Sequence, residues 1–184
     1  MFEPTEIKPE TVSERIKRTG EAFGRWAWVE LSIWTERMLI ALNTGVKGGQ
    51  WYSLIDKVIR PRTLEIAFQK VAENQGAPGV DHITIPMFQS HLDDELRHLS
   101  DHLRNGTYRP QAILRHYIPK PGSQEMRPLG IPTVRDRVVQ TALRMVLEPI
   151  FENEFAEHSY GFRPGRGCKD ALRRVDELLK AGYS

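Results

Sequence analysis

Apolar residues recur at helical spacing through much of this chain, and glycine, proline and charge fill the gaps between them. The opening MFEPTEIKPE is polar and is expected to be unstructured. From about residue 11 to residue 42 the pattern predicts a helix with breaks near Gly20 and Gly24. Phe23, Ala27, Trp34 and Met38 keep only a partly regular spacing there. NTGVKGGQ, residues 43–50, predicts a flexible joint. A second helix is expected from about Leu54 to Glu73, interrupted at Pro61. Asn74-Gln75-Gly76-Ala77-Pro78-Gly79 stops it. Thr84 is placed to cap a third helix, with Pro86 in its first turn and its end near Asn105-Gly106.

The period changes between Gln111 and Ile131. Arg115 and Tyr117 alternate with Leu114, His116 and Ile118, and RPLGIP follows the turn PGSQEM. This predicts a β-hairpin with Lys120 at one end of its turn and Arg127 at the other. Pro119, Pro128 and Pro132 suit strand ends or an exposed edge. Thr133 then reads as an N-cap, with Asp136 three residues on. Val139, Leu143, Val146 and Ile150 form the expected buried stripe of the next helix. Arg137, Gln140 and Arg144 line another face, and Pro149 is expected to kink or restart the helix. A last helix from about Lys169 to Ala181 is expected to bury Leu172, Val175 and Leu179.

The 184 residues suffice for one or two domains with a modest core. The single cysteine, Cys168, excludes an internal disulfide and fits a reducing, cytoplasmic compartment. No secretory signal is legible at the polar start. The run WAWVELSIWTERMLIAL contains Glu30, Glu36 and Arg37, which makes it too polar to span a membrane. Charge is unevenly spread. From Arg104 to Arg144, eight cations face only the carboxylates Glu125 and Asp136. Such a stripe suits a phosphate backbone, and an acidic protein partner would be served equally well.

Several clusters have ordinary explanations. His91, His98 and His102, with Asp94 and Glu95, lack any metal-ligand signature and read as a solvated face. Asp93 and Asp94 are adjacent on a helix and point apart. Trp26, Trp28, Trp34 and Trp51 read as packing residues rather than stacking platforms. Cys168 has no legible catalytic partner. HSYGFRPGRGC, residues 158–168, is different, because it sets Arg163, Arg166 and Lys169 where a helix begins. Cations are mildly unfavourable at that end of a helix, so an anion such as a phosphate is expected to complete the site. The alternative is a solvated turn whose arginines face water. Lys120, Arg127, Arg135, Arg137, Gln140, Arg144, Tyr160, Phe162, Arg163 and Arg166 together mix cations, a forked amide and aromatics. That mixture suits a groove for a nucleic-acid strand.

Three blocks carry a family likeness: NQGAPGVD at 74–81, YIPKPGSQEMRPLGIPTVRDRVVQTAL at 117–143, and FENEFAEHSYGFRPGRGCKDAL at 151–172. In order and spacing they resemble the opening blocks of group II intron-encoded reverse transcriptases, the maturases. ERMLIALNTGVKGGQWYSLIDKV resembles the N-terminal extension of bacterial members. The likeness implies an α+β, mainly helical fold. Residues 1–50 would be a helical N-terminal extension and residues 51–184 the fingers of a right-hand polymerase, with the β-hairpin. It implies that Lys120 and Arg127 contact a nucleotide triphosphate. It implies that the loop bearing Asn74, Gly76 and Gly79 lies over the template, and that the turn around Arg163 lines the template path.

The family's first metal-binding aspartate and its Tyr-x-Asp-Asp sequence have no counterpart in these residues, and the only Asp-Asp lies in HLDDEL. Two-metal polymerisation needs such carboxylates. The resemblance therefore implies a truncated, catalytically inactive fingers portion, without the family's Mg2+ and awaiting a palm and thumb polypeptide. The implied partner is intron or template RNA, with DNA as a second choice. A non-catalytic RNA-binding fragment and a decayed remnant stand as alternatives.

Overall fold

The computed structural model describes residues 26–43 and 53–183. The expected unstructured start, the first predicted helix before residue 26 and residues 44–50 of the joint lie outside them. The described residues divide into two compact units. One holds residues 26–43 and 149–183, and the other holds residues 53–148.

In the first unit, residues 26–35 form turns rather than the expected helix. Glu30 supplies a local reason. Its carboxylate accepts hydrogen bonds from the Ser32 hydroxyl, at 2.9 Å, and the Ser32 amide, at 3.4 Å, which compete with helical pairing. The turns bury Trp26, Ile33 and Trp34, so two of the tryptophans are packing residues. Helix α1 follows at Glu36–Asn43 and buries Leu39 and Leu42. The Asn153 side chain donates to the Leu42 carbonyl at 2.9 Å and ties the two halves of this unit together.

The second unit opens with α2, Leu54–Val58, and α3, Pro61–Glu73. The expected interruption at Pro61 is present, and the proline occupies the first helical position, where no amide donor is needed. Ser100 closes the junction by donating to the Ile59 carbonyl at 2.9 Å. Thr84 caps α4, Ile85–Gln89, by accepting from the Met87 amide. The single helix expected here is two, because the chain turns at Ser90 and His91 before α5, Leu92–Arg104. Leu64, Ala67, Phe68 and Val71 of α3 are buried, as are Phe88 of α4 and Leu96 and Leu99 of α5. Phe68 stacks on Phe88 with ring centroids 5.4 Å apart.

The hairpin forms as expected. Strands β1, Leu114–Pro119, and β2, Met126–Ile131, pair antiparallel with Ile118 opposite Arg127. Both faces remain largely open to solvent. Helix α6 then runs from Val134 to Glu152. It continues through Pro149 instead of restarting there. Its buried stripe is Val134, Val138, Val139, Ala142 and Val146. Leu143, expected inside, is 38% exposed. Val138, Ala142 and Val146 centre the buried face, and the residue after Ala142 is turned about 100° away from it. Helix α7, Cys168–Lys180, starts and ends close to expectation. Its apolar stripe is not buried: Leu172, Val175 and Leu179 are 68%, 52% and 63% exposed, because no described element covers that face.

Candidate nucleic-acid interface

The hairpin turn is built locally. The Lys120 amide donates to the Glu125 carbonyl at 2.9 Å, and Gly122 supplies a left-handed backbone at φ 75°. Side chains two residues apart share a strand face, and Arg127 faces Ile118 across the ribbon. By that alternation Lys120, Glu125 and Arg127 lie on one face. Lys120 is held by Glu125 at 2.6 Å. Arg127 is exposed and makes no ion pair with the described residues. The hairpin thus presents one neutralised cation and one free cation side by side.

Asp136 anchors the segment before the hairpin. Its amide donates to the Thr133 hydroxyl at 3.1 Å, which is the expected cap. Its carboxylate accepts from the Thr133 hydroxyl at 2.8 Å, from the Gln111 amide at 3.1 Å and from the Tyr108 hydroxyl. Burial, and then the hydrogen bond to Asp136, raise the Tyr108 phenol above its ordinary value. Tyr108 and Asp136 line an open cavity of about 240 Å³ with His98, His102, Arg109 and Arg135. Two of the histidines read as a solvated face therefore border an open cavity. Tyr108 carried no periodic signal that would have marked it.

The polar stripe of α6 is not uniform. Gln140 and Arg144 are exposed, and Arg144 forks onto Glu148 at 2.9 and 3.0 Å. Arg135 pairs with Glu95. Arg137 is half-buried and turned onto the loop after α3, where it donates to the Ala77 carbonyl at 2.8 Å. Burial lowers its pKa, and nearby Asp81 offsets part of that. Gly76 and Gly79 belong to the same loop, with Gly79 buried and Gly76 half-buried; Asn74 is exposed at its start.

The 158–168 turn departs most from expectation. Arg163 does not face solvent; its side chain is only 4% exposed. It donates to the Glu152 carboxylate, with the shortest bond 2.6 Å, and to the Ala156 and Ser159 carbonyls at 2.9 Å each. Its guanidinium also lies 5.2 Å from the centroid of the Phe155 ring. The hydrogen bond to Glu152 raises its pKa above the ordinary value. Arg166 is half-buried over the Tyr160 ring and donates to the Glu157 carbonyl. At the start of α7 the Asp170 carboxylate accepts from the Gly167 amide at 2.9 Å. Carboxylates of the chain itself, Glu152 and Asp170, occupy the anion positions expected for a phosphate. Lys169 stays exposed. Phe162 is fully exposed and holds a left-handed backbone at φ 57°, which is uncommon for a bulky residue. Glu152 and Phe155 were missed in the sequence, since nothing in their spacing ties them to Arg163.

Residues 118–183 match the family of reverse transcriptases, the RNA-dependent DNA polymerases. Protein YkfC of Escherichia coli is 44% identical over 124 residues, which is 66% of this chain and 32% of that protein. The group II intron-encoded protein LtrA of Lactococcus lactis is 39% identical over 120 residues, 64% of this chain and 20% of that protein. The mitochondrial nuclear intron maturase 2 of Arabidopsis thaliana is 51% identical over 49 residues, 27% of this chain and 6% of that protein. The chain thus spans a third or less of the curated relatives it matches. The resemblance to group II intron reverse transcriptases and maturases holds. The helices and antiparallel hairpin are compatible with a fingers region. No helix among the described residues is long and apolar enough to cross a membrane.

Proposed function

We propose, from a chain that matches reverse transcriptases over residues 118–183 and resembles group II intron-encoded proteins, that these residues are the RNA-binding fingers of such an enzyme. The observation that carries the reading is the hairpin. It sets Lys120 and Arg127 on one exposed face, as a triphosphate contact requires. In the same unit, the loop from Asn74 to Asp81, Gln140 and Arg144 are the candidate template contacts. In the other unit, Phe162 offers an exposed ring for stacking on an unpaired base, flanked by Tyr160 and Arg166. Arg163 supports that turn from inside. The partner is single-stranded intron or template RNA, with DNA as a second choice, in a cytoplasmic setting.

On this reading the 184 residues bind but do not polymerise, since the carboxylates that would hold catalytic Mg2+ are not among them. The test has two arms. Primer extension on an RNA template with Mg2+ and deoxynucleotides is expected to give no product above a protein-free control. Fluorescence anisotropy with single-stranded RNA is expected to show binding that weakens as salt rises. Extension product overturns the inactivity, and absence of salt-dependent RNA binding overturns the fingers reading.

A further inference from the structure

The loop NQGAPGVD is gripped by one side chain. The chain leaves α3 at Glu73, and the Asn74 side chain donates to the Lys70 carbonyl at 3.0 Å. Two residues have left-handed backbones, Gln75 near the start of the loop at φ 46° and His82 just after it at φ 58°. Such conformations are strained for residues with side chains and persist only where surroundings over-determine them. Three contacts supply that constraint. The Arg137 guanidinium donates to the Ala77 carbonyl at 2.8 Å. A Cβ built on Gly76 would lie 2.3 Å from an Arg137 terminal nitrogen, so the guanidinium passes where a side chain would stand. A Cβ built on Gly79 would lie 2.7 Å from the Thr133 backbone nitrogen and Cα, so the loop rests directly on the start of α6.

We infer that Arg137 is a positioning residue, the pin that locks the Asn74–Asp81 loop onto α6, and that it contacts no phosphate itself. The Arg137 Nε is buried without a hydrogen-bond partner, which leaves it facing the protein rather than a ligand in water. Gly76 exists to admit the guanidinium, and Gly79 to admit the Thr133 backbone. Both glycines therefore shape the loop's seat, whatever the loop binds. A pinned loop meets a strand without a further ordering cost, and a loose one does not. This inference rests on the proposed function only for its RNA-binding arm.

The experiment compares the full chain with Arg137→Ala, Arg137→Lys and Gly76→Ala. Gly76→Ala keeps the arginine but displaces it through the far end of a flexible side chain, so it tests the pin if Arg137→Ala fails to fold. Hydrogen exchange of a peptide covering residues 74–82 is expected to accelerate about tenfold in Arg137→Ala and Gly76→Ala, with peptides from α3 and the hairpin little changed. RNA affinity is expected to fall severalfold in both while the slope of log affinity against log salt stays the same. A direct phosphate contact predicts the reverse: unchanged loop exchange and a slope lower by about one. Arg137→Lys preserves the charge but not the planar fork, so it restores a phosphate contact and only partly restores the pin. Unchanged loop exchange in both folded variants overturns the inference. If no protein binds RNA, the fingers reading fails and the exchange data still decide the pin.

Discussion

Arg163 and Glu152, eleven residues apart, form a buried ion pair with side chains 4% and 9% exposed. The arginine also satisfies the carbonyls of Ala156 and Ser159, which lie between them. One side chain therefore closes the whole connection from the end of α6 to the glycine-rich turn.

Arg163→Ala leaves the Glu152 carboxylate buried without its partner. Removing one member of a buried pair costs about 3–5 kcal/mol. The expected outcome is a clearly lower melting temperature by circular dichroism, with Arg163→Lys rescuing only part because it cannot fork. An unchanged melting temperature together with a flatter salt dependence of RNA binding would return Arg163 to the phosphate-contact role.

This residue also shows where sequence reading ends. Glycine, proline and arginine in HSYGFRPGRGC announced a turn, and a turn is present. Whether an arginine faces water or a carboxylate depends on a partner elsewhere, and no periodicity reports that. Local features were legible because their causes are local: the interruption at Pro61, Thr84 and Thr133 as caps, the hairpin between Leu114 and Ile131. The burial of Leu143 and of the α7 stripe was misjudged because amphipathicity describes a helix, while burial also needs a neighbour. Within the site, Arg127 and Phe162 are exposed as the residue types suggested, whereas Arg137 is turned onto a loop 60 residues earlier.

Arg144 is the contrasting case. Its side chain is 68% exposed, and its partner Glu148, one turn away on the same helix, is 17% exposed, so the pair is open to solvent on the arginine side. Exposed pairs of this kind contribute about 0.3–0.5 kcal/mol. Arg144→Ala is expected to shift thermal unfolding barely, measured by calorimetry. A loss several times larger would mean that the half-buried Glu148 carboxylate depends on the arginine.

Gly79→Ala is expected to be costly. The added Cβ would meet backbone at Thr133, which cannot swing aside. Overpacking of this sort costs about 1–3 kcal/mol. Urea unfolding is expected to show a reduced midpoint with little change in slope, and a larger effect than Gly76→Ala. Equal effects from the two glycines would show that Thr133 yields as easily as the Arg137 side chain.

Tyr108 adds a pH dependence. An unfolded phenol titrates near 10.0, and the folded one titrates higher because it is partly buried and bonded to Asp136. Above pH 10 the unfolded chain has released this proton while the folded chain keeps it. The Tyr108 contribution is therefore complete below that pH and declines as pH rises through the folded value. Tyr108→Phe is expected to lower stability by about 1 kcal/mol at pH 7. The gap to the unsubstituted chain narrows as urea unfolding is repeated at rising alkaline pH. A constant or widening gap refutes this coupling.

The hairpin carries the last prediction. Lys120 reaches Glu125 at 2.6 Å across the turn, in a pair whose side chains are 48% and 71% exposed. Glu125 shares the face of Lys120 and Arg127, so its carboxylate opposes the like charge of a triphosphate bound there. Glu125→Gln removes the competing charge and leaves the turn's backbone bond from the Lys120 amide to the Glu125 carbonyl in place. The pair is exposed, so stability is expected to change little. Affinity for a fluorescent deoxynucleoside triphosphate is expected to rise severalfold in Glu125→Gln, to fall in Lys120→Ala, and to fall further in Arg127→Ala. The measurement is anisotropy at fixed low salt, because screening weakens all of these differences. Weaker binding in Glu125→Gln would mean that the carboxylate orients Lys120 for the phosphates rather than competing with them. No binding by any of the four proteins would remove the triphosphate from the hairpin altogether.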